Sequence, residues 1–339
     1  MFTDEEALAR LPAAEARARN PNWMRWQDVT FWLAILGLGI VGLAINDSYV
    51  RHILILVLIW ALVAASWDLV LGYAGIFNYA QLVFFAVGAY ASAMFSLYAG
   101  VPALVALVLG TAVGAASGLL IAVPCLRLRG EYVALFTFAV HLALPPVIQQ
   151  GRSIGLGGSQ GLLGIPPIHL FGSVLGPMNK IGWFIFALTV VSICLYVIYF
   201  KLLRSKLGHA FVALRDADDF AESLGVNERR YKLIAFIISA AFTALAGGMY
   251  AHYTTVLTPK ILGTEFFLMV MVMLAIGGMG RYPGAILGAF IVVTGNELLR
   301  GFDEYRLLIL GIAVVVAVLF LRNGMVSFRE HLDRAQTRA

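Results

Sequence analysis

Charge is scarce in this chain. Asp, Glu, Lys and Arg make up 13% of its 339 residues, against about 25% in a soluble domain. Cysteine is scarcer still. Cys125 and Cys194 both lie at or within apolar stretches, so no disulfide is expected. No G-x-x-x-x-G-K-[ST] occurs, which removes a phosphate-cradling loop. The glycine-rich run from Ser153 to Gly164 has no closing lysine and no preceding strand. There is no H-E-x-x-H, the six histidines are scattered, and metal chemistry has no support. A G-x-S-x-G elbow is also missing. No cofactor is expected on this chain. Residues 1–28 carry charges of both signs and do not read as a signal peptide. Thr3-Asp4-Glu5-Glu6 fits a capping box for a short surface helix.

What the chain has is apolar length. It is 61% hydrophobic. Continuous apolar runs recur from Phe31 to Leu321, without the dyad alternation of barrel strands. The fold class expected is an all-α polytopic membrane protein of about ten segments. They fall near 29–45, 53–71, 82–98, 102–123, 132–149, 182–200, 233–250, 265–277, 285–299 and 306–321. The domains read as an N-terminal extension (1–28), a membrane region (29–321) and a tail (322–339). The long connection at 151–181 is rich in glycine and proline and reads as a loop, not a strand. Segment 265–277 is short and is followed by Gly277-Gly278-Met279-Gly280. Gly72-Tyr73-Ala74-Gly75 breaks the chain before the third segment. Such interruptions point either to discontinuous helices lining a path or to tight helix packing.

Basic residues orient the chain. With the N-terminus inside, the inner loops hold 18 Lys and Arg and the outer loops 6. The bias places both termini and residues 201–232 in the cytoplasm. The net charge of +5 thus belongs to cytoplasmic loops and tails and implies no nucleic-acid partner.

Residues 201–232 are the one long charged segment. His209 to Leu224 reads as a short amphipathic helix. Phe211, Leu214, Ala221 and Leu224 lie on one face, with Arg215, Asp216, Asp219 and Glu222 elsewhere. Gly225 sits at a C-cap position and Asn227 caps the next helix. The periodicity fits equally a helix docking in a partner's groove and a connector lying on lipid.

Asp219-Phe220-Ala221, three residues and then Gly225 resembles the E-A-A-x-x-x-G loop of ABC importer permeases. The longer run from Ala213 to Tyr250 is similar to branched-chain amino-acid permeases of the LivM type. So are LGYAGIFNYAQLVFFAVGAYASA (71–93), LRLRGEYVALFTFA (126–139), GGSQGLLGIP (157–166), MVMLAIGGMGRYPGAILGAFIVV (271–293) and ELLR (297–300). The resemblance covers residues 50–321. It departs at Phe77–Gln81, where such permeases more often carry a small Ser- and Gly-containing stretch, and at His141, near a more often acidic or polar position. The first 28 residues are unmatched.

The resemblance implies a non-enzymatic permease subunit of an importer in the bacterial inner membrane. Its partners would be a second, LivH-type permease, two cytoplasmic ATPase subunits that use ATP, and a periplasmic binding protein. Phe211, Leu214, Arg215, Asp216, Asp219, Ala221, Glu222 and Gly225 would form the ATPase-coupling element. The substrate would be a branched-chain or similar small amino acid, with urea, short amides or another small polar solute as the alternative. An ion-coupled transporter would need a mid-membrane relay, for which Asp68, His141 and Glu297 are the available groups. A membrane enzyme would need a catalytic pair that the sequence does not show.

Polar side chains at membrane depth are functional suspects. Asn78 and Gln81 follow a glycine break, and the break frees backbone groups that a zwitterion can use. Thr137 and His141 share one face of the fifth segment. His141 reads either as a ligand or as an interhelical hydrogen bond. Asp68 and Glu297 read as capping or pairing groups near an interface, and Glu131 as a helix-start charge.

Overall fold

The structure, a computed structural model, describes residues 21–128, 130–170, 172–299, 309 and 311–312. Of residues 21–27 and 219–220 it describes the backbone alone. The expected capping box at Thr3–Glu6, the segment 306–321 beyond its three described positions and the tail 322–339 lie outside the described residues. The chain divides into two units, 1–46 and 47–339. In the first, a single helix α1 spans Pro21–Ala44.

The second unit opens at Asp47, whose carboxylate accepts the Tyr49 N–H at 2.7 Å and caps α2 (Ser48–Asp68). A π-turn extends α2 through Tyr73. Then come α3 (Gln81–Tyr98), α4 (Ala103–Cys125), α5 (Glu131–Gln150), α6 (Lys180–Tyr196), α7 (Lys206–Asp216), α8 (Asp218–Ser223), α9 (Glu228–Thr254), α10 (Thr264–Gly277) and α11 (Gly284–Leu298). The apolar runs expected up to residue 299 coincide with helices. Among the described residues, six helices, with their π or 3-10 extensions where present, are long and apolar enough to cross a membrane. The apolar stretch Asp28–Ala44, α10 and α11 are shorter.

Small residues decide the packing. α9 runs against both α3 and α4, which also pack on each other. An added Cβ at Gly247 would lie 2.1 Å from Phe85 O, and one at Gly114 would lie 2.0 Å from Ala244 Cβ. Gly88 and Gly118 are closed in the same way by Ala244 and Ala240. Lipid tails are as apolar as leucine, so helices in a membrane gain from close backbone approach more than from hydrophobic burial. α2 is buried along most of its length, from Ile53 to Asp68. α4 and α5 each leave a broad apolar face open, with Leu120, Tyr132, Leu135 and Leu142 exposed.

The connection at 151–179 corrects the expectation of an unpaired loop. Strand β1 (Leu162–Leu163) pairs antiparallel with β4 (Val256–Leu257), and β2 (Ile168–Leu170) pairs with β3 (Ser173–Leu175). Gly172, at φ +79°, supplies the positive φ that the tight β2–β3 turn requires. Buried His252 ties the connection to the bundle, with Nδ1 2.7 Å from Pro166 O and Nε2 2.9 Å from Ser92 Oγ.

The charged segment is corrected too. The single helix expected from His209 to Leu224 is two helices, α7 and α8. They part at Ala217, which adopts φ −159°, ψ 84°. Asp216, Asp218 and Asp219 surround the break. Aspartate competes with the backbone inside a helix but favours the first turn, where the macrodipole welcomes it. Ser205 caps α7 and Asn227 caps α9, the latter accepting the Arg230 N–H at 3.0 Å. Gly225 ends α8 at φ +88°, in the left-handed region. Leu224, expected on the apolar face, falls past the end of α8 and is 70% exposed.

Candidate functional site

Two polar constellations stand out, one inside the bundle and one where the charged segment meets it.

The inner one is built on the stretch between α2 and α3. After the π-turn, residues 74–80 run without helix, which frees backbone donors and acceptors that need partners. Asn78 answers part of this. Its Oδ1 accepts the Ala80 N–H at 3.0 Å, and its carbonyl accepts the Trp67 indole N–H at 2.6 Å. Its Nδ2 donates to Gln81 Oε1 at 3.3 Å. Gln81 Nε2 in turn donates to Ser239 Oγ at 3.0 Å and to Thr243 Oγ1. Ser239 donates to Ser66 O at 2.6 Å. Thr137 Oγ1 accepts the Tyr79 N–H at 3.0 Å.

Asn78, Gln81 and Thr137 are fully buried and each is hydrogen-bonded: Asn78 to Gln81, and Thr137 to the Tyr79 N–H between them. They hold the broken stretch against α2, α5 and α9. A satisfied buried network specifies a conformation.

His141 is different. It sits one turn beyond Thr137 on α5, is 2% exposed, and its Nδ1 has no hydrogen-bond partner. Its ring centroid lies 5.2 Å from that of Phe267 and 6.2 Å from that of Phe138. Phe267 also meets Tyr79 at 5.9 Å, Trp67 at 5.7 Å and Phe138 at 5.7 Å. Phe138 and Phe267 thus pack on the ring that carries the unpartnered nitrogen, and Trp67 and Tyr79 extend the aromatic group behind them. Sequence reasoning found His141 but missed Trp67, Tyr79, Phe138 and Phe267. The available signal was position: Tyr79 lies in the break, and Phe267 opens the shortest segment. Such a group of rings suits an aliphatic side chain, and the nitrogen suits one polar group.

In the outer constellation, the apolar face of the charged segment is turned into the chain. Phe211, Leu214 and Ala221 are buried. Phe211 belongs to the same buried cluster as Leu69, Val70, Ala235 and Phe236. Asp216 and Glu222 remain exposed. The side chain of Asp219 lies outside the described residues. Arg215 divides its contacts, with Nε donating to Asp216 Oδ1 at 2.8 Å and Nη1 donating to Gly72 O at 2.9 Å. Lys232 bridges Asp218 at 3.2 Å and Glu228. A cleft of about 250 Å³ opens between α8 and the starts of α5 and α9, lined by Phe77, Gly130, Val133, Glu222, Lys232 and Phe236 among others.

The remaining suspects pair. Asp68 Oδ1 accepts the Gly280 N–H at 2.6 Å. Glu297 Oε1 lies 3.9 Å from His52 Nε2. Glu131 occupies the first turn of α5.

Six membrane-length apolar helices among the described residues, shorter apolar helices beside them and an amphipathic connector are the architecture of a multi-pass membrane protein. The chain belongs to the family described as branched-chain amino acid transport system / permease component, whose profile matches residues 49–319. It is similar to the high-affinity branched-chain amino acid transport system permease protein LivM of Escherichia coli strain K12. The two are 30% identical over 317 residues, covering 87% of this chain and 74% of the relative. The LivM protein of Salmonella typhimurium strain LT2 is 33% identical over 285 residues, 78% of this chain and 65% of the relative. The ribose import permease protein RbsC of Haemophilus influenzae is 25% identical over 272 residues, 76% and 80%. No solved structure matches the chain.

Proposed function

We propose that this chain is the permease subunit of an ATP-driven importer that moves branched-chain or similar small amino acids across the bacterial inner membrane by alternating access. The observation that carries the reading is the mounting of the charged segment. Its apolar face, Phe211, Leu214 and Ala221, is buried in the bundle, and its acidic residues Asp216 and Glu222 face out. A connector held this way acts as a lever. A partner engages the polar side, and the apolar side conveys the displacement to the helices beneath.

The sequence carries no nucleotide-binding loop of its own. The free energy therefore comes from two ATPase subunits bound at the cytoplasmic end, where the excess of Lys and Arg orients the segment. A second, LivH-type permease completes the path, and a periplasmic binding protein delivers the substrate. The cage around His141 is the transient site in the membrane. Its rings accommodate a branched aliphatic side chain.

The similarity to a ribose permease supports a second reading, in which the same machine carries another small polar solute such as a sugar, urea or a short amide. One experiment decides both. The chain is reconstituted in proteoliposomes with its permease partner, ATPase subunits and binding protein. Labelled leucine uptake is followed with ATP, without ATP, and against excess ribose or urea. ATP-dependent uptake that resists both competitors is expected. Uptake that persists without the ATPase subunits refutes the importer reading. Uptake of the competitor in place of leucine transfers the reading to the second substrate class.

A further inference from the structure

The two helix breaks meet at a single point, although Gly72 and Gly280 lie 208 residues apart in the chain. Gly72 lies in the π-turn that ends α2, and Gly280 in the turn between α10 and α11. Their backbones cross so closely that a Cβ at Gly72 would lie 2.3 Å from Gly280 N, and one at Gly280 would lie 2.7 Å from Gly72 O. Asp68, one turn before Gly72 on the same helix, accepts the Gly280 N–H through Oδ1 at 2.6 Å. From the other side, Arg215 at the end of α7 donates to Gly72 O at 2.9 Å. Its side chain lies in a notch that only glycines leave open. A Cβ at Gly75 would lie 2.6 Å from Arg215 Cγ, and one at Gly280 would lie 3.0 Å from Arg215 Nη1.

An acid from the first break thus holds the second, and a cation from the charged segment holds the first. Asp68 is fully buried and its Oδ2 has no hydrogen-bond partner. A buried acid at membrane depth is costly unless a nearby group compensates it. Arg215 stands on the far side of the same crossing, with 34% of its side chain still exposed. Its guanidinium therefore connects the part of the chain that faces outward to the point where both interrupted helices touch.

We propose that Arg215 and Asp68 are positioning residues of the transport cycle. Together they clamp the Gly72–Gly280 crossing, so that a displacement of α7 moves both broken helices in one step. The inference rests on the importer reading and deepens it. The apolar side moves the helices beneath it, and this hydrogen-bonded joint makes the two broken helices move together.

The test uses the complete complex in proteoliposomes and reads leucine imported per ATP hydrolysed. Arg215→Ala is expected to lower that ratio about tenfold, the size of effect that follows loss of one charge-assisted hydrogen bond. ATP hydrolysis is measured in the same vesicles, so that the ratio reports coupling whatever the substitution does to turnover. Arg215→Lys, which keeps a cationic donor for Gly72 O, is expected to restore most of the ratio, and rescue of this kind separates positioning from packing. Asp68→Asn keeps the acceptor for Gly280 N–H without the charge, and is expected to lower the ratio as well. Should Arg215→Ala fail to assemble, Asp68→Asn and Arg215→Gln read the same ratio in its place. An unchanged ratio in Arg215→Ala, or in both substitutes, overturns the inference. A wild-type complex that shows no ATP-dependent leucine uptake overturns the importer reading instead, so the two failures are distinct.

Discussion

The indole N–H of Trp67 donates to the backbone carbonyl of Asn78 at 2.6 Å. This bond joins residues eleven positions apart across the point where α2 gives way to non-helical chain. Trp67 belongs to a continuous helix, and Asn78 to a stretch with no secondary structure of its own. The bond ties the second to the first, and next to it Tyr79 meets the rings of Trp67 and Phe267 edge-on. Within the membrane, a break can exist only where protein supplies the missing backbone partners.

Gln81 is therefore expected to behave as a structural residue. Gln81→Ala leaves Ser239 and Thr243 without their donor, at a cost of roughly 1–3 kcal/mol for buried groups left unsatisfied. A lower Tm of the purified protein in detergent is the expected outcome. The preference for leucine over valine should stay as in the wild type. A changed preference with an unchanged Tm would return Gln81 to the substrate path.

His141 should show the opposite pattern. Its unpartnered Nδ1 stabilises nothing in this conformation, so His141→Leu is expected to hold Tm or raise it, with a gain in stability of up to the roughly 1–3 kcal/mol that an unsatisfied buried group costs. Leucine uptake should fall at least severalfold. Full transport activity in a stable variant would show that the nitrogen has no part in the path.

The helix seams give a stability prediction with an internal control. Gly247→Ala places a methyl group 2.1 Å from Phe85 O, and the backbones of α3 and α9 must separate. Overpacking of this kind costs about 1–3 kcal/mol. Gly295→Ala on α11 meets nothing within 4 Å and should be neutral or slightly stabilising. Thermal unfolding of the two variants side by side checks the contrast.

Gly225 tests backbone conformation alone. Nothing lies within 4 Å of an added Cβ, yet its φ is +88°. Gly225→Val is expected to cost about 1–2 kcal/mol from the left-handed backbone, while Gly225→Asn should cost less, because asparagine tolerates that region. Fraying of α8 in the valine variant, measured by hydrogen exchange, should accompany a loss of leucine transported per ATP.

The architecture was open to reading because it rests on local signals. A membrane helix satisfies its own backbone, so apolar length alone marks it out, and segment 82–98 matches α3 to within one residue. Caps are local as well, which is why Gly225 and Asn227 could be placed. The β1–β4 pair was missed because its strands lie more than 90 residues apart. The split at Ala217 was missed because apolar periodicity counts faces and does not weigh three aspartates around one residue.

The sequence by itself determined a multi-pass helical bundle, two glycine-interrupted segments and one amphipathic connector. Each follows from hydropathy, turn chemistry or charge within a few neighbouring residues. Only the tertiary structure decided what these features meet. It turned the connector's apolar face onto its own bundle, locked Asn78 and Gln81 into a satisfied network, and left His141 among aromatic rings. It also brought Gly72, Gly280, Asp68 and Arg215 to one crossing. Those contacts depend on which backbones approach closely enough to touch, and that is set by the packing of helices far apart in the chain.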